Sequence, residues 1–349
     1  MAVKKFSDLN QKNLTSVKNI SKDEEIQEIS LRPSYFDDYV GQSSIKEKLK
    51  IFIEAAKQRG ESLQHILFYG APGLGKTSIS NVIAKEMGSN IKIMSGPTIT
   101  KAGDLAAILT SIKKGDILFI DEIHRMKTNI EEILYSAMED FKIDIIMGKG
   151  PGARSMRLDV PKFTLIGATT KAGSLSAPLR DRFGIIEKLD FYTISEMKKI
   201  ISRSAKILQL KIDDEALEDI ALCSRFTPRI ANRLLKSLRD FAQVQNENFL
   251  DIKTTISGLK SLGVDETGLD KNDEFFLRTI LEKFDGGPVG LNTLAIAMNE
   301  DKETIEDIHE PFLIQKGYIK RTQKGRILTQ KSLDFLKNKK INEDNRKIF

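Results

Sequence analysis

Residues 66–80 read ILFYGAPGLGKTSIS: an apolar run, then a proline among three glycines, then Lys76-Thr77-Ser78. A stretch suited to a buried strand gives up its side chains just where a helix should begin. Gly70, Gly75, Lys76 and Thr77 satisfy G-x-x-x-x-G-K-[ST], the phosphate-binding P-loop, in the strand–loop–helix setting that the motif requires. A loop without Cβ atoms wraps closely around an anion and turns successive backbone N–H groups inward. The helix starting near Lys76 adds its positive dipole end. Lys76 is expected at the β- and γ-phosphates of ATP, and the Thr77 hydroxyl at Mg²⁺. The motif commits this part of the chain to an open α/β sheet.

Phosphoryl transfer asks a protein for positioning and charge stabilisation. DILFIDEIH (116–124) is an apolar strand that delivers Asp121 and Glu122 at its C-terminal end, where ligands of open α/β sheets sit. Asp121 suits the Mg²⁺ shell, and Glu122 is placed to orient and deprotonate the attacking water. Alone, such a run is an ordinary strand end with solvated carboxylates; beside a P-loop it reads as an ATPase centre. FTLIGATTKAG (163–173) is a further central strand, and Thr170 at its end is the candidate contact to the γ-phosphate. In APLRDRFGI (177–185), Arg182 is either a finger reaching a neighbouring subunit's ATP or a surface ion-pair partner. FTPRIANRLL (226–235) opens a helix with Thr227 as N-cap and Pro228 at N1, leaving Arg229 in the first turn. A cation there opposes the helix dipole by about 0.3–1 kcal/mol at an exposed site, and a nearby anion removes the conflict. Arg229 is read as reaching over nucleotide phosphates, with a solvent-facing arginine as the alternative.

From residue 31 to 192, short apolar runs (91–95, 117–120, 163–168) alternate with helical patterns (43–58, 129–141). That alternation describes a parallel sheet with helices on both faces. Over 193–263 the strand signal disappears, and helices are expected at 194–208, 214–224, 228–245 and 251–260, a small all-helical domain. A third unit, 266–344, puts Phe276, Leu277, Ile280, Leu281 and Phe284 on one helical face. Three helix patterns and then KGYIKRTQKGRILT, two strands around a basic turn, make it a winged helix. KIDIIMGKGPGARSMRLDVPKF (142–163) reads as a hairpin turning at 148–152. The polar residues 1–30 are expected to be a mobile lead-in, and 345–349 a short tail.

One cysteine, Cys223, excludes an internal disulfide, and the three histidines (His65, His124, His309) show no metal-ligand spacing. No apolar run approaches the ~18 residues of a membrane span, and residues 1–10 lack a signal-peptide core, so a cytosolic protein without membrane contact is expected. The net charge is +6, yet residues 316–349 hold eleven Lys or Arg against three acids, which leaves the rest of the chain at −2. A polyanion is therefore expected mainly at the C-terminal end, unless that charge is only a solvated tail. The third helix of the winged unit, about 302–315, carries Glu303, Glu306, Asp307 and Glu310, a poor surface to push into a DNA groove. The wing instead offers Lys320, Arg321, Lys324 and Arg326, and phosphate-directed cations give affinity without sequence choice.

LRPSYFDDYVGQ (31–42), GAPGLGKT, LFIDEIHR, FTLIGATT, LRDRFGI, TPRIANRLL, GGPVGL (286–291), TIEDIHEPFLIQKGYIKRT (304–322) and KGR (324–326) follow one another in this chain. In these stretches and their order, over about residues 30–330, it resembles the RuvB family of AAA+ ATPases, bacterial Holliday-junction branch-migration motors. The resemblance implies a homo-hexameric ring on double-stranded DNA, coupling hydrolysis of ATP to ADP and phosphate to DNA translocation. It also implies work in recombination and DNA repair within the SOS response, with RuvA holding the four-way junction and RuvC cutting it. By the same resemblance Leu31 and Arg32 lie against the adenine side, while Gly73, Lys76, Thr77 and Ser78 hold phosphates and metal. Glu139, Asp140, Phe141, Arg182, Tyr192 and Arg229 match positions around ATP, with Arg182 as the finger. Arg321 and Arg326 match DNA contacts. The hairpin 142–163 resembles the one that docks RuvA, with Ile145, Ile146 and Met147 offering apolar contact; a hairpin packed on its own domain is the alternative.

Two departures stand out: Phe226 occupies a position where the family usually has Gly, and Gln323 one where it often has Pro. Two rival readings keep the P-loop. A clamp-loader-like ATPase would have no reason for a winged helix. An ATP-switched DNA-binding regulator would not need Glu122 beside Asp121, a pairing that argues for turnover.

Overall fold

The computed structural model describes residues 30–147, 154–245 and 248–346. Its centre is a five-stranded parallel sheet in the order β2-β3-β6-β1-β7. The strands are β1 (Ile66–Tyr69), β2 (Ile91–Ser95), β3 (Ile117–Asp121), β6 (Thr164–Thr169) and β7 (Ile185–Lys188). The inner strands β1, β3 and β6 are apolar almost without interruption, as strands covered on both faces must be. Register aligns Tyr69 with Thr169, and Ile120 with Gly167. The carboxyl ends of β1, β6 and β3 therefore stand in one row, and each ends in a chemically active segment.

Side-chain alternation along these strands feeds two cores. Phe68, Phe119 and Ile166 face one way, with Leu49 of the helix Ser43–Arg59 and Ile79 and Ile83 of the helix Lys76–Met87. That core continues into Leu235 and Leu238 of the helical unit. Leu67, Leu118 and Leu165 face the other way, under Leu105 of the helix Ala102–Thr110 and Leu134 of the helix Thr128–Glu139. β4 (Lys142–Met147) and β5 (Arg154–Asp159) form the expected antiparallel hairpin as a sheet of their own. Its turn, residues 1–29 of the lead-in expected over 1–30 and residues 347–349 of the tail expected over 345–349 lie outside the described residues.

The helical unit comprises Ile194–Ile207, Asp214–Cys223, Pro228–Val244 and Ile252–Ser261. Thr193, Asp213 and Asp251 accept backbone N–H bonds at three of the N-termini, as capping residues do. The expectation of a purely helical unit needs correction: β8 (Lys211–Ile212) and β9 (Phe249–Leu250) pair in parallel. Two-residue strands are too short to carry a period.

The C-terminal unit is a winged helix around Phe276, Leu277, Ile280, Leu294, Phe312 and Leu313. Its wing pairs β10 (Ile319–Thr322) with β11 (Gly325–Leu328), and a helix Gln330–Arg346 follows. The single helix expected over 302–315 is instead a short turn Lys302–Thr304, a π-helical turn Ile305–His309 and the helix Glu310–Gln315. Pro311 supplies the reason, because it offers no N–H and its ring crowds the carbonyl four residues back. This unit is fixed to the helical unit at the segment before the helix Pro228–Val244. Arg225 bridges Asp270 and the fully buried Asp273 at 2.6 and 2.5 Å, and the Phe226 ring lies 6.4 Å from that of Phe312. No helix among the described residues is long and apolar enough to cross a membrane.

Candidate active site

The loop after β1 adopts backbone conformations that side chains would forbid. Gly70 has φ +142°, and a Cβ there would stand 2.5 Å from the Leu189 carbonyl oxygen; Gly75, at φ +98°, turns the chain into the helix Lys76–Met87. Lys76 is buried and folded back on the carbonyl oxygens of Gly70 and Ala71, at 2.8 and 3.0 Å. Burial pushes its ammonium below the usual lysine range, while the charges of Asp121 and Glu122 work the other way. At the end of β3, Asp121 accepts the Glu122 N–H at 3.0 Å, and Glu122 takes φ +52°, a strained conformation for a side-chain-bearing residue.

These groups line a cleft of about 440 Å³. The loop brings Gly73, Lys76, Thr77 and Ser78; the strand ends bring Asp121, Glu122 and Thr170. Leu31 and Arg32 close one side, Tyr192 comes from the segment just before the helical unit, and Arg229 from that unit's helix Pro228–Val244. The Thr170 hydroxyl is buried with no hydrogen-bond partner among the described residues, a costly state unless a ligand supplies the acceptor. A phosphate oxygen fits that requirement. For a metal, the cleft offers the Thr77 hydroxyl and the Asp121 carboxylate, hard oxygen donors that suit Mg²⁺ held mainly through a substrate's phosphates. Among the described residues no group of three or more His, Cys, Asp or Glu could hold a metal by itself.

Arg229 lies where the sequence puts it, behind Thr227 at the N-cap and Pro228 at N1. The cap itself is corrected: the Thr227 hydroxyl makes no capping bond and instead donates to the Ser224 carbonyl at 3.3 Å. Phe226 adopts φ +56°, which is why glycine is at home in this position.

Glu139, Asp140, Phe141 and Arg182 do not line this cleft. Arg182 donates to Glu139 Oε2 and to the Pro178 carbonyl, both at 2.7 Å, and lies over the Tyr135 ring. With Phe141 it borders a separate cavity, and Asp140 is the C-cap of the helix Thr128–Glu139. Sequence reasoning missed two residues that shape the site. Tyr39 pairs its hydroxyl with that of Tyr192 at 3.1 Å, directly under Gly75, and burial raises both phenols, Tyr192 to about 12. Arg203 donates to the carbonyls of Leu31 and Arg32 at 2.8 and 3.3 Å. Tyr39 stands in the quoted LRPSYFDDYVGQ stretch and was there to be found; Arg203 is an ordinary helical cation with no local signal.

On the wing, Lys320 and Lys324 are exposed. Arg321 is half exposed and donates to Glu306 and Glu310 at 2.9 and 2.8 Å. Arg326 is buried, its Nε on Glu310 at 2.6 Å. The four cations thus do not form the open set that the sequence presents, because the acids of the third helix face the wing.

Three family models match in chain order: the Holliday junction DNA helicase RuvB P-loop domain over 31–189, the RuvB AAA lid domain over 192–265 and the RuvB C-terminal winged helix domain over 266–337. Among solved structures, Thermotoga maritima RuvB, described as a Holliday junction branch migration motor, is 47% identical with a TM-score of 0.82. The match covers 88% of this chain and 98% of that one. Two point variants of the same protein match at 48% identity, with equal coverage and TM-score. A P-loop cleft, a lid and a winged helix, each matched to its own RuvB model, place the chain in the RuvB family of AAA+ ATPases, the Holliday-junction branch-migration motors.

Proposed function

We propose that this chain works as a homo-hexameric ring which hydrolyses ATP with Mg²⁺ and draws duplex DNA through a Holliday junction, beside RuvA and RuvC. The observation that carries the chemistry is the orphaned Thr170 hydroxyl, set between the P-loop and Asp121-Glu122. Thr77 and Asp121 would hold Mg²⁺, which supplies charge neutralisation at the β- and γ-phosphate oxygens. Lys76 leaves two backbone carbonyls for phosphate oxygens and breaks no ion pair in doing so. Thr170 donates to a γ-phosphate oxygen, and Arg229 covers the phosphates from the lid. Leu31 and Arg32, tied down by Arg203, face the adenine. Glu122 orients a water whose oxygen bonds to the γ-phosphorus and takes up its proton, as the bond to the β-phosphate oxygen breaks and ADP leaves.

Arg182, with Glu139, Asp140 and Phe141 around it, serves the neighbouring subunit's nucleotide. Their position away from the chain's own cleft supports that division of labour. The β4–β5 hairpin, a sheet of its own with Met156 exposed, is the docking element for RuvA. Arg321, with Lys320 and Lys324, meets DNA phosphates; Arg326 braces the wing through Glu310 and reaches DNA when that carboxylate lets go. The reading sets the activity in the bacterial cytoplasm, in recombination and SOS-linked repair.

Purified protein, ATP, Mg²⁺ and a RuvA-type partner on a synthetic four-way junction test this directly. Separation into duplexes, abolished by Lys76→Ala, is the expected result. A stable complex without strand movement would favour the ATP-switched regulator instead.

A further inference from the structure

The ring of His124 stands two residues beyond Glu122, with only 9% of its side chain exposed. Its Nδ1 is 2.8 Å from the Thr169 hydroxyl, and its Nε2 is 3.6 Å from Glu122 Oε2. Thr169 is fully buried, and its hydroxyl also accepts the Lys171 N–H at 3.0 Å. No step of the hydrolysis set out above uses this imidazole.

The nearby carboxylate favours one proton arrangement on the ring. Burial lowers the imidazole's affinity for a second proton, as do Lys171 and Arg125, while Glu122 and Asp307 oppose them. A neutral ring has a single N–H. With that proton on Nε2, it points toward the Glu122 carboxylate, and Nδ1 accepts the Thr169 hydroxyl proton. With the proton on Nδ1, a lone pair would confront the carboxylate. At 3.6 Å the Nε2 approach is longer than a hydrogen bond, so a small rotation of the Glu122 side chain makes or breaks it. At the other end of the chain of contacts, Thr169 is bonded covalently to Thr170, whose hydroxyl has no partner among the described residues.

We propose that His124 is a positioning residue: held by Thr169, it aims the Glu122 carboxylate at the attacking water and passes to it the engagement of Thr170 by the γ-phosphate. The proposal rests on the reading of Glu122 as the water-orienting group.

Steady-state ATPase assays on the full chain with junction DNA test it. His124→Asn keeps a polar atom for Thr169 but loses the reach to Glu122, and His124→Gln restores the reach. The expected result for His124→Asn is a fall of about tenfold in kcat, as for other groups that orient a catalytic ligand, with KM and the affinity for a fluorescent ADP analogue unchanged. His124→Gln recovers part of the loss. Thr169→Val falls by a similar factor, and the double variant with His124→Asn is no slower than either single change, since both cut one chain. A His124→Asn kcat within about twofold of the parent, a loss confined to KM, or losses that multiply would each overturn the proposal. Should thermal unfolding show that His124→Asn does not fold, His124→Gln and Thr169→Val carry the same comparison. Glu122→Gln separates the two readings. Turnover surviving that change removes the role of Glu122 itself, whereas turnover lost there and normal in the His124 and Thr169 variants removes only the present proposal.

Discussion

Lys76 and Arg321 are both cations proposed to meet phosphate, yet they are held in opposite ways. Lys76 rests on two backbone carbonyls in a buried cleft, beside a Thr170 hydroxyl with no partner and an Arg229 without an ion pair among the described residues. Arg321 sits half exposed on the wing, already neutralised by Glu306 and Glu310. On the proposed function, a discrete triphosphate enters the cleft and draws Lys76 off two backbone carbonyls rather than out of an ion pair. On the same proposal, DNA displaces carboxylates that return when it leaves. Strong, stoichiometric binding and weak, renewable binding follow from that difference, and a motor that grips and releases DNA at each cycle needs the second kind.

The comparison is sharpest at Arg182, which belongs to neither region of its own chain. Arg182→Ala is expected to lower the ATPase rate of the assembled ring by about 10³-fold or more, the range for an arginine finger. Mixing that variant with Lys76→Ala subunits restores part of the activity, because an intact P-loop whose neighbour is a Lys76→Ala subunit then meets an intact arginine. An absence of recovery in the mixed rings would assign Arg182 to its own chain. The next largest effect tests the orphaned hydroxyl: Thr170→Val lowers kcat by about 10²-fold while nucleotide binding holds, since the bond is made to charge that develops in the transition state. A Thr170→Val enzyme at parental kcat would break the contrast at its strongest point.

On the wing the expected effects are smaller and have two signs. Arg321→Ala weakens DNA binding and reduces the slope of log K against log salt by about 1. Glu306→Gln does the reverse, raising affinity by about two- to fivefold as one competitor for Arg321 is removed. Titrations of labelled duplex at several salt concentrations measure both. If Glu306→Gln left affinity unchanged, the carboxylates would not be restraining the wing.

The P-loop, Asp121-Glu122 and the strand–helix alternation were legible because each is a local pattern that also dictates its own setting. A buried parallel sheet then followed, since inner parallel strands announce themselves by unbroken apolar runs, whereas the order β2-β3-β6-β1-β7 came only with the structure. What stayed hidden depends on partners far apart in the chain. Glu139 meets Arg182 and His124 meets Thr169 only once β6 and the helix Thr128–Glu139 are packed. Arg326 reads as an open cation until Glu310 is brought against it. The π-helical turn was available in principle from Pro311, but periodicity across 302–315 outweighed that single residue.

Phe226 lies on the seam between the two regions, and the smallest effect is expected there. Its φ of +56° costs a side-chain-bearing residue about 1–2 kcal/mol. Against this, its ring packs on Phe312 and lies under the Lys316 ammonium at 5.0 Å, contacts worth about 1 kcal/mol each at most beyond area burial. Phe226→Gly removes strain and packing together, so the unfolding free energy is expected to change by no more than about 1 kcal/mol. Phe226→Ala removes the packing but keeps the Cβ that makes the conformation costly, so it should be about 1 kcal/mol less stable than the glycine variant. Denaturant unfolding of the three proteins gives the order directly. Alanine equal to or above glycine would mean that the left-handed turn relaxes when the ring is gone, and that the contact with the winged helix, rather than the start of the Arg229 helix, is what imposes it.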